Sequence, residues 1–128
     1  MREPVPAVSG VKIVHSERPV VPSPSGLPTQ HLVCQETGSS SIFVGQQWLQ
    51  PGDRVYRHSH PCEESLTFLS GTGDATMGDE TVEIAAGTSL FFPAGLLHGF
   101  RNTGTEVMHV IVVFPVPYFA PTEIVEAR

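Results

Sequence analysis

Four side chains able to bind a metal fall in two short stretches of this 128-residue chain. His58 and His60 lie in an apolar run that predicts a strand, and side chains two residues apart on a strand point to the same face. Glu64 opens the following predicted strand, and His98 comes after the tight turn of residues 93–95. Three neutral imidazoles and one carboxylate that converge on a point can hold a divalent transition metal and leave positions open for water or substrate.

The glycines and prolines around these four residues carry a further pattern. Ten positions match in two groups, Gly52, His58, His60, Glu64 and Gly71 first, then Gly87, Pro93, Gly95, His98 and Asn102. This spacing resembles the two motifs of the cupin family, separated here by the short loop typical of small single-domain members. The resemblance implies a double-stranded β-helix, a jelly-roll barrel, with His58, His60, Glu64 and His98 as ligands of one iron, manganese, zinc, nickel or copper ion per chain.

The elements that must position these ligands are short strands. The chain has 12 Gly and 12 Pro, which argues against long helices. From Leu32 onward, apolar runs alternate with breaks centred on glycine, and no stretch of ten residues has helical periodicity. Eight or more strands at this spacing predict an all-β antiparallel sandwich or barrel.

Proline content divides the chain into three parts. Residues 1–30 contain six prolines and predict an N-terminal arm, with one strand over 11–15 and an extended, polyproline-like segment over 19–30. Residues 31–114 form the predicted barrel, and residues 115–128 a C-terminal tail. The resemblance to small cupins implies a homodimer, and either terminal segment could cover the partner subunit. The arm could alternatively be a lid.

Charge and composition exclude several partners. Thirteen acidic residues against seven basic ones give a formal net charge of −6, which disfavours nucleic-acid binding. The apolar runs are far shorter than the roughly 20 residues that cross a bilayer, and the first ten residues lack the apolar core of a secretory signal. With only two cysteines, Cys34 and Cys62, we expect reduced thiols and a cytoplasmic protein. From the net charge and the short apolar runs, we expect no nucleic-acid or membrane partner.

Strand parity predicts which residues surround the metal. Counting from the ligands, Tyr56 and Arg54 share the face of His58, Leu66 and Phe68 that of Glu64, and Phe100 that of His98. One of the adjacent amides Gln46 and Gln47 should face inward. The candidate substrate-binding residues are Gln46, Trp48, Arg54, Leu66, Phe68, Phe100 and Met108. The candidates for moving a proton are Tyr56, Glu64 and His31.

Three functions fit this ligand set. The first expectation is an Fe(II) dioxygenase in which a small organic substrate chelates the metal and O₂ takes a remaining position. The first alternative is a non-redox Zn, Mn or Ni enzyme in which the metal polarises a carbonyl for lyase, isomerase, decarboxylase or cyclase chemistry. The second alternative is a cupin that binds a ligand as a sensor without turning it over.

Overall fold

The computed structural model describes residues 8–125, which fold into β-strands and two three-residue 3-10 helices, His15–Glu17 and Gln35–Thr37. The strands of this part of the chain are β1 (Val20–Pro22), β2 (Pro28–Val33), β3 (Phe43–Leu49), β4 (Arg54–Ser59), β5 (Glu64–Ser70), β6 (Thr72–Met77), β7 (Glu80–Ala85), β8 (Thr88–Phe92), β9 (His98–Asn102), β10 (Met108–Phe114) and β11 (Glu123–Ile124).

Two antiparallel sheets face each other across one core. The larger sheet has the order β1-β2-β3-β10-β5-β8, and the smaller has the order β11-β4-β9-β6-β7. The chain alternates between the sheets from β3 to β6 and again from β7 to β11, so the ligand-bearing strands β4 and β9 are neighbours in one sheet while β5 lies in the other. The predicted all-β jelly-roll fold is confirmed.

Alternation along the strands builds the core. In β10, the residues Met108, Val110, Val112 and Phe114 are each at most 1% exposed, and the residues between them lie on the outer face. Strand β5 alternates in the same way, so Glu64 begins an inward row that continues with apolar side chains. The carboxylate of Glu64 is thereby held at one end of a close-packed barrel.

The N-terminal region differs from the sequence prediction. The strand predicted over residues 11–15 is wrong, since residues 11–14 have no regular structure and His15 begins a 3-10 helix. The segment 19–30, predicted to be extended and unpaired, instead forms a hairpin of β1 and β2, in which Val20 pairs with Gln30. Gly26, with φ of 84°, permits the turn, and Pro22 is tolerated because β1 is an edge strand.

The predicted boundaries also cut across elements. Strand β2 spans the expected junction between residues 30 and 31, so the end of the arm and the start of the barrel are one strand. In the tail, β11 pairs with β4 beside the metal ligands. The parts of the predicted arm and tail at residues 1–7 and 126–128 lie outside the described residues.

Two smaller findings bear on the expected environment. Cys34 and Cys62 are both free thiols, as the low cysteine count predicts. Within residues 8–125, no helix is long and apolar enough to span a bilayer.

Candidate metal centre

An irregularity in β4 determines which of its side chains face the barrel interior. Val55 pairs with Phe100 and His58 with His98, so β4 contains one more residue than β9 between these pairs. Such a bulge shifts the inward and outward alternation by one position. Gly99 allows it, because a Cβ at this position would come within 2.8 Å of the Val55 carbonyl oxygen. Val55 and His58 are consequently both buried, and His58 faces His98 across the strand pair.

The four predicted ligands meet in one buried cluster. His58, His60, Glu64 and His98 are each at most 5% exposed, and their ligand atoms all lie within 4.8 Å of one another. The Nε2 atoms of His58 and His60 are 3.0 Å apart. Glu64 Oε1 lies 2.7 Å from His98 Nε2 and 3.5 Å from His60 Nε2.

Backbone carbonyls orient all three imidazoles. His58 Nδ1 lies 2.6 Å from the Tyr56 carbonyl oxygen, and His98 Nδ1 lies 2.9 Å from that of Leu96. His60 Nδ1 lies 3.0 Å from the carbonyl oxygen of Pro121. A carbonyl only accepts, so each Nδ1 carries the proton and each Nε2 presents a lone pair.

This tautomer makes the cluster fit a metal ion. Two Nε2 lone pairs that face each other at 3.0 Å beside a carboxylate repel one another unless a cation lies between them. Three imidazole nitrogens and one carboxylate are the donor set expected for zinc, iron, manganese or nickel with open positions. The cluster is therefore typical of a divalent metal site.

The protonation states also suit a metal. Burial, followed by the charge of His98, lowers the pKa of His58 from 6.5 to about 4, so this imidazole is neutral near pH 7. For Glu64, burial favours the protonated form, but the interactions of the carboxyl group with His60 and His98 outweigh burial and lower its pKa. The site combines the neutral imidazole of His58 with a carboxyl group whose pKa is lowered.

Aromatic rings enclose the ligands. Phe92 stacks on His98 with ring centroids 3.9 Å apart and an interplanar angle of 17°. Phe114 contacts His60 edge to face at 4.9 Å, and Phe119 lies 6.2 Å from the same imidazole. These rings fix the imidazoles in place and keep the surroundings of the site apolar.

Two cavities adjoin the ligands. An inner cavity of about 20 Å³ lies beside His58 and is lined by Ser23, Pro24, Ser25, Gln47, Val55, His58, Phe119 and Thr122. A larger outer cleft of about 410 Å³ adjoins His60 and is lined by Ser59, His60, Pro61, Gly95, Pro121, Thr122 and Glu123. Thr122 belongs to both.

Because of the bulge, the inward orientation that parity predicts for two residues of β4 is wrong. Tyr56 and Arg54 do not share the inward face of His58, because the extra residue in β4 gives that face to Val55. Arg54 is exposed on the outer face of the smaller sheet, where it lies opposite Arg101 of β9 in the strand register. Its guanidinium lies 5.1 Å from the centre of the Tyr56 ring. Tyr56 therefore contributes its backbone carbonyl to the site, through His58.

Gln46 and Trp48 lie on the outer face of the larger sheet, which corrects their predicted place in the pocket. Gln46 accepts a hydrogen bond from His109 Nε2 at 2.7 Å and donates one to Gln30 at 2.9 Å. Trp48 stacks on His109 with centroids 5.3 Å apart. The inward amide is Gln47, which is 4% exposed and makes no side-chain hydrogen bond within residues 8–125.

His31 lies on the same side of the larger sheet as the site but does not belong to the ligand cluster. Its ring contacts Phe43 edge to face at 5.0 Å and stacks on Phe119 at 6.0 Å. Because Phe119 also contacts His60, a phenyl ring lies between the two imidazoles. Burial, opposed by the charge of Glu36, lowers the pKa of His31.

The remaining predicted wall residues lie inward, as parity predicts for Leu66, Phe68 and Phe100. Each is at most 5% exposed, and Phe68 packs edge to face on Phe100 at 5.5 Å. Met108 is fully buried and lies against Gly71, beyond the far end of β5 from Glu64. These side chains fill the barrel, and their contact with a substrate stays a prediction.

Sequence reasoning missed the contributions of the C-terminal segment. Phe119, Pro121 and Thr122 each contact His60 or line a cavity beside it. The apolar composition of residues 115–120 was the available signal, and it indicated that the segment covers a surface without showing which one.

Comparisons with known proteins agree with this architecture. A family model described as the cupin domain matches residues 46–114, more than half of the chain. The polyketide synthase CurC of Streptomyces cyaneus is 32% identical over 85 residues, which are 62% of this chain and 55% of that protein, so the match spans only about half of the relative.

Solved structures show the same fold. The polyketide cyclase RemF from Streptomyces resistomycificus superimposes with a TM-score of 0.78 at 20% identity, over 94% of this chain and 88% of that one. An oxalate decarboxylase from Bacillus subtilis superimposes with a TM-score of 0.79 at 22% identity, over 94% of this chain and 33% of that one.

Proposed function

This chain belongs to the cupin domain family, and from that premise we propose that it is a metal-dependent enzyme that cyclises an enolisable, polyketide-like carbonyl compound without redox chemistry. The observation that carries the proposal is the arrangement of the three imidazoles. Their Nδ1 atoms are bound to backbone carbonyls, so that three Nε2 lone pairs and the Glu64 carboxylate converge on one point.

His58, His60, Glu64 and His98 would hold the metal. A divalent ion bound there supplies Lewis-acid polarisation of a carbonyl oxygen, which acidifies the neighbouring C–H group. With these four side chains as ligands, a metal would have room for the two oxygens of a chelating 1,3-dicarbonyl group or a related hydroxyketone. Ring closure then requires that the nucleophilic and electrophilic carbons of this substrate be held in contact.

The inner cavity supports a neutral substrate. Its lining consists of hydroxyl, amide, apolar and aromatic groups together with the neutral imidazole of His58. A small dianion such as a dicarboxylate would need a cationic partner there. The names of the relatives, a polyketide synthase protein and a polyketide cyclase, support the same class of substrate.

Gln47 is the residue best placed to orient the substrate. Gln47 is 4% exposed and lines the inner cavity with His58. An amide that lines the cavity can hydrogen-bond a substrate oxygen there. We therefore assign Gln47, rather than Gln46, to substrate binding.

Glu64 is the candidate for proton transfer. Of the three groups predicted for this role, the Tyr56 ring lies beside Arg54 and the His31 ring lies behind Phe119, whereas Glu64 lies within the ligand cluster. Its carboxyl group has a lowered pKa and is ionised near pH 7, so one oxygen can take the proton released on enolisation.

Reconstitution in the absence of oxygen tests this function. In anaerobic buffer, the protein loaded with Zn²⁺ or Mn²⁺ should convert a linear poly-β-ketone into a cyclic, aromatic product. Strict dependence on Fe(II) and O₂, with stoichiometric O₂ consumption, would overturn the proposal in favour of the dioxygenase, which stays a prediction. A control with His98→Ala should lose both metal and turnover.

The expected homodimer also stays a prediction. Leu69 and Phe91 are 52% and 58% exposed and lie on β5 and β8 of the larger sheet. Sedimentation equilibrium, compared between the wild-type protein and a Phe91→Glu variant, tests whether this surface joins two copies.

A further inference from the structure

We propose that the outer cleft beside His60 receives the remote, ring-bearing part of the substrate, and that Thr122, on the wall between cleft and inner cavity, determines which ligands reach the metal. The inference rests on the proposed function, because it assumes that a ligand binds at the metal. It goes further by naming a second binding surface, a specificity-determining residue and the chemistry of the ligand.

The sizes of the two cavities carry the first step. The inner cavity holds about 20 Å³, which is room for about one water molecule. A bidentate organic ligand cannot lie within it as a whole, whereas ligand pockets for small molecules usually measure about 300–1,000 Å³. The outer cleft, with about 410 Å³, falls in that range and also adjoins a metal ligand, His60.

Thr122 lies at the junction of the two spaces. Its side chain lines both, and its hydroxyl donates a hydrogen bond to the Ala120 carbonyl oxygen at 2.9 Å. The same hydroxyl lies 3.3 Å from His60 Nδ1. A ligand that extends from the outer cleft to the metal would therefore lie against Thr122.

The segment that carries Thr122 is attached at both ends. The Gln35 amide donates a hydrogen bond to the Pro117 carbonyl oxygen at 2.6 Å, and β11 then pairs with β4 over only two residues. Between these attachments, the Pro121 carbonyl is the acceptor for His60. Thr122 is thus held in a fixed position relative to the site, so the size of its side chain should determine the width of the passage.

The walls of the outer cleft indicate the class of ligand. Pro61, Gly95 and Pro121 offer flat apolar surface, and Ser59 and Thr122 offer hydroxyl groups. The charged side chain in the lining is Glu123, an exposed carboxylate. These walls suit a neutral, hydroxylated aromatic ring and disfavour a ring that carries a carboxylate or a phosphate.

Ligand binding to the Co(II)-substituted protein tests the passage without requiring turnover. The visible absorption bands of Co(II) report binding of azide, a small anion, and of catechol, a bidentate aromatic, both titrated anaerobically. Thr122→Leu should weaken catechol binding at least tenfold and change azide binding less than twofold. Thr105→Leu is the matched control, at an exposed threonine that follows the end of β9 opposite His98. It should change neither catechol binding nor azide binding.

A charge reversal tests the outer cleft itself. With Glu123→Lys, the affinity for 3,4-dihydroxybenzoate relative to catechol should rise at least fivefold, because the added carboxylate would lie near a cation. Glu123→Gln, which only removes the negative charge, should produce a smaller rise in the same direction. An unchanged ratio in both variants would show that the ring lies elsewhere.

The outcomes separate this inference from the proposed function. If the Co(II) protein binds neither azide nor catechol, the open metal site is wrong and the inference fails with it. If it binds both and Thr122→Leu weakens neither, the passage is wrong while the metal function stands. If Thr122→Leu weakens both ligands equally, the residue supports the metal site instead of selecting ligands, and the inference is overturned.

Discussion

His60 donates its Nδ1 hydrogen to the carbonyl oxygen of Pro121 at 3.0 Å, although 61 residues separate the two in the chain. The contact makes the C-terminal segment part of the candidate metal centre. Partners of this kind fix the tautomer and the ring orientation of a histidine ligand, and their loss typically weakens metal binding by about 10–100-fold.

Phe119 should hold the His60 imidazole in place. Its ring contacts His60 and also packs edge to face on Phe114 at 5.1 Å. Phe119→Ala should lower the free energy of unfolding by about 2 kcal/mol and weaken metal binding about tenfold, because His60 and Phe114 lose a packing partner. Denaturant melts of the metal-free protein and competition titrations with a chelating dye measure the two effects.

Tyr118→Ala serves as the matched control for that variant. Tyr118 is the neighbouring aromatic and is 47% exposed, so its removal should leave metal affinity within about twofold. Equal metal affinity in the Phe119→Ala variant and the wild-type protein would contradict the role assigned to this ring.

The metal ligands themselves give the most direct prediction. His58→Ala and His98→Ala should each lower metal affinity by more than about 100-fold, because one of the four buried donors is removed. His109→Ala removes an imidazole on the outer face of the barrel and should retain a full equivalent of metal. Elemental analysis after dialysis distinguishes these results, and full occupancy in both ligand variants would refute the site.

The sequence predicted the ligands because their recognition needed only local rules. His58 and His60 are two residues apart, and the turn before His98 is marked by Pro93 and Gly95, so types and spacing sufficed. The two-residue spacing also survives the bulge in β4, since the extra residue precedes His58.

Residues on the other side of that bulge could not be placed in the same way. A single inserted residue reverses the parity of Tyr56 and Arg54, and no residue type in β4 signals it. The partnership of His60 with Pro121 was equally beyond local rules, because it depends on where the chain returns after the last long strand. Propensity likewise overrated residues 11–15 as a strand, because residues 11–14 pair with no strand among residues 8–125.

The adjacent glutamines of β3 offer a matched pair of variants. Gln47→Leu should leave metal content unchanged and lower turnover or catechol affinity about tenfold, because the amide that faces the inner cavity is lost. Gln46→Leu should keep ligand binding but destabilise the fold by about 1–2 kcal/mol, since His109 and Gln30 lose their partner. The reverse pattern would show that the wrong amide has been assigned to the site.

The stability of the metal-free protein should depend on pH through His58. Its pKa is about 4 in the folded chain against 6.5 ordinarily, so protonation favours the unfolded state. Stability is fully present above about pH 6.5 and is lost as the pH falls toward 4, by on the order of 3 kcal/mol. Urea melts between pH 7.5 and 4 should show this decline, and His58→Asn should flatten part of it. A decline of the same size in His58→Asn would assign the effect to other groups, among them His31 and His109, whose pKa values burial also lowers.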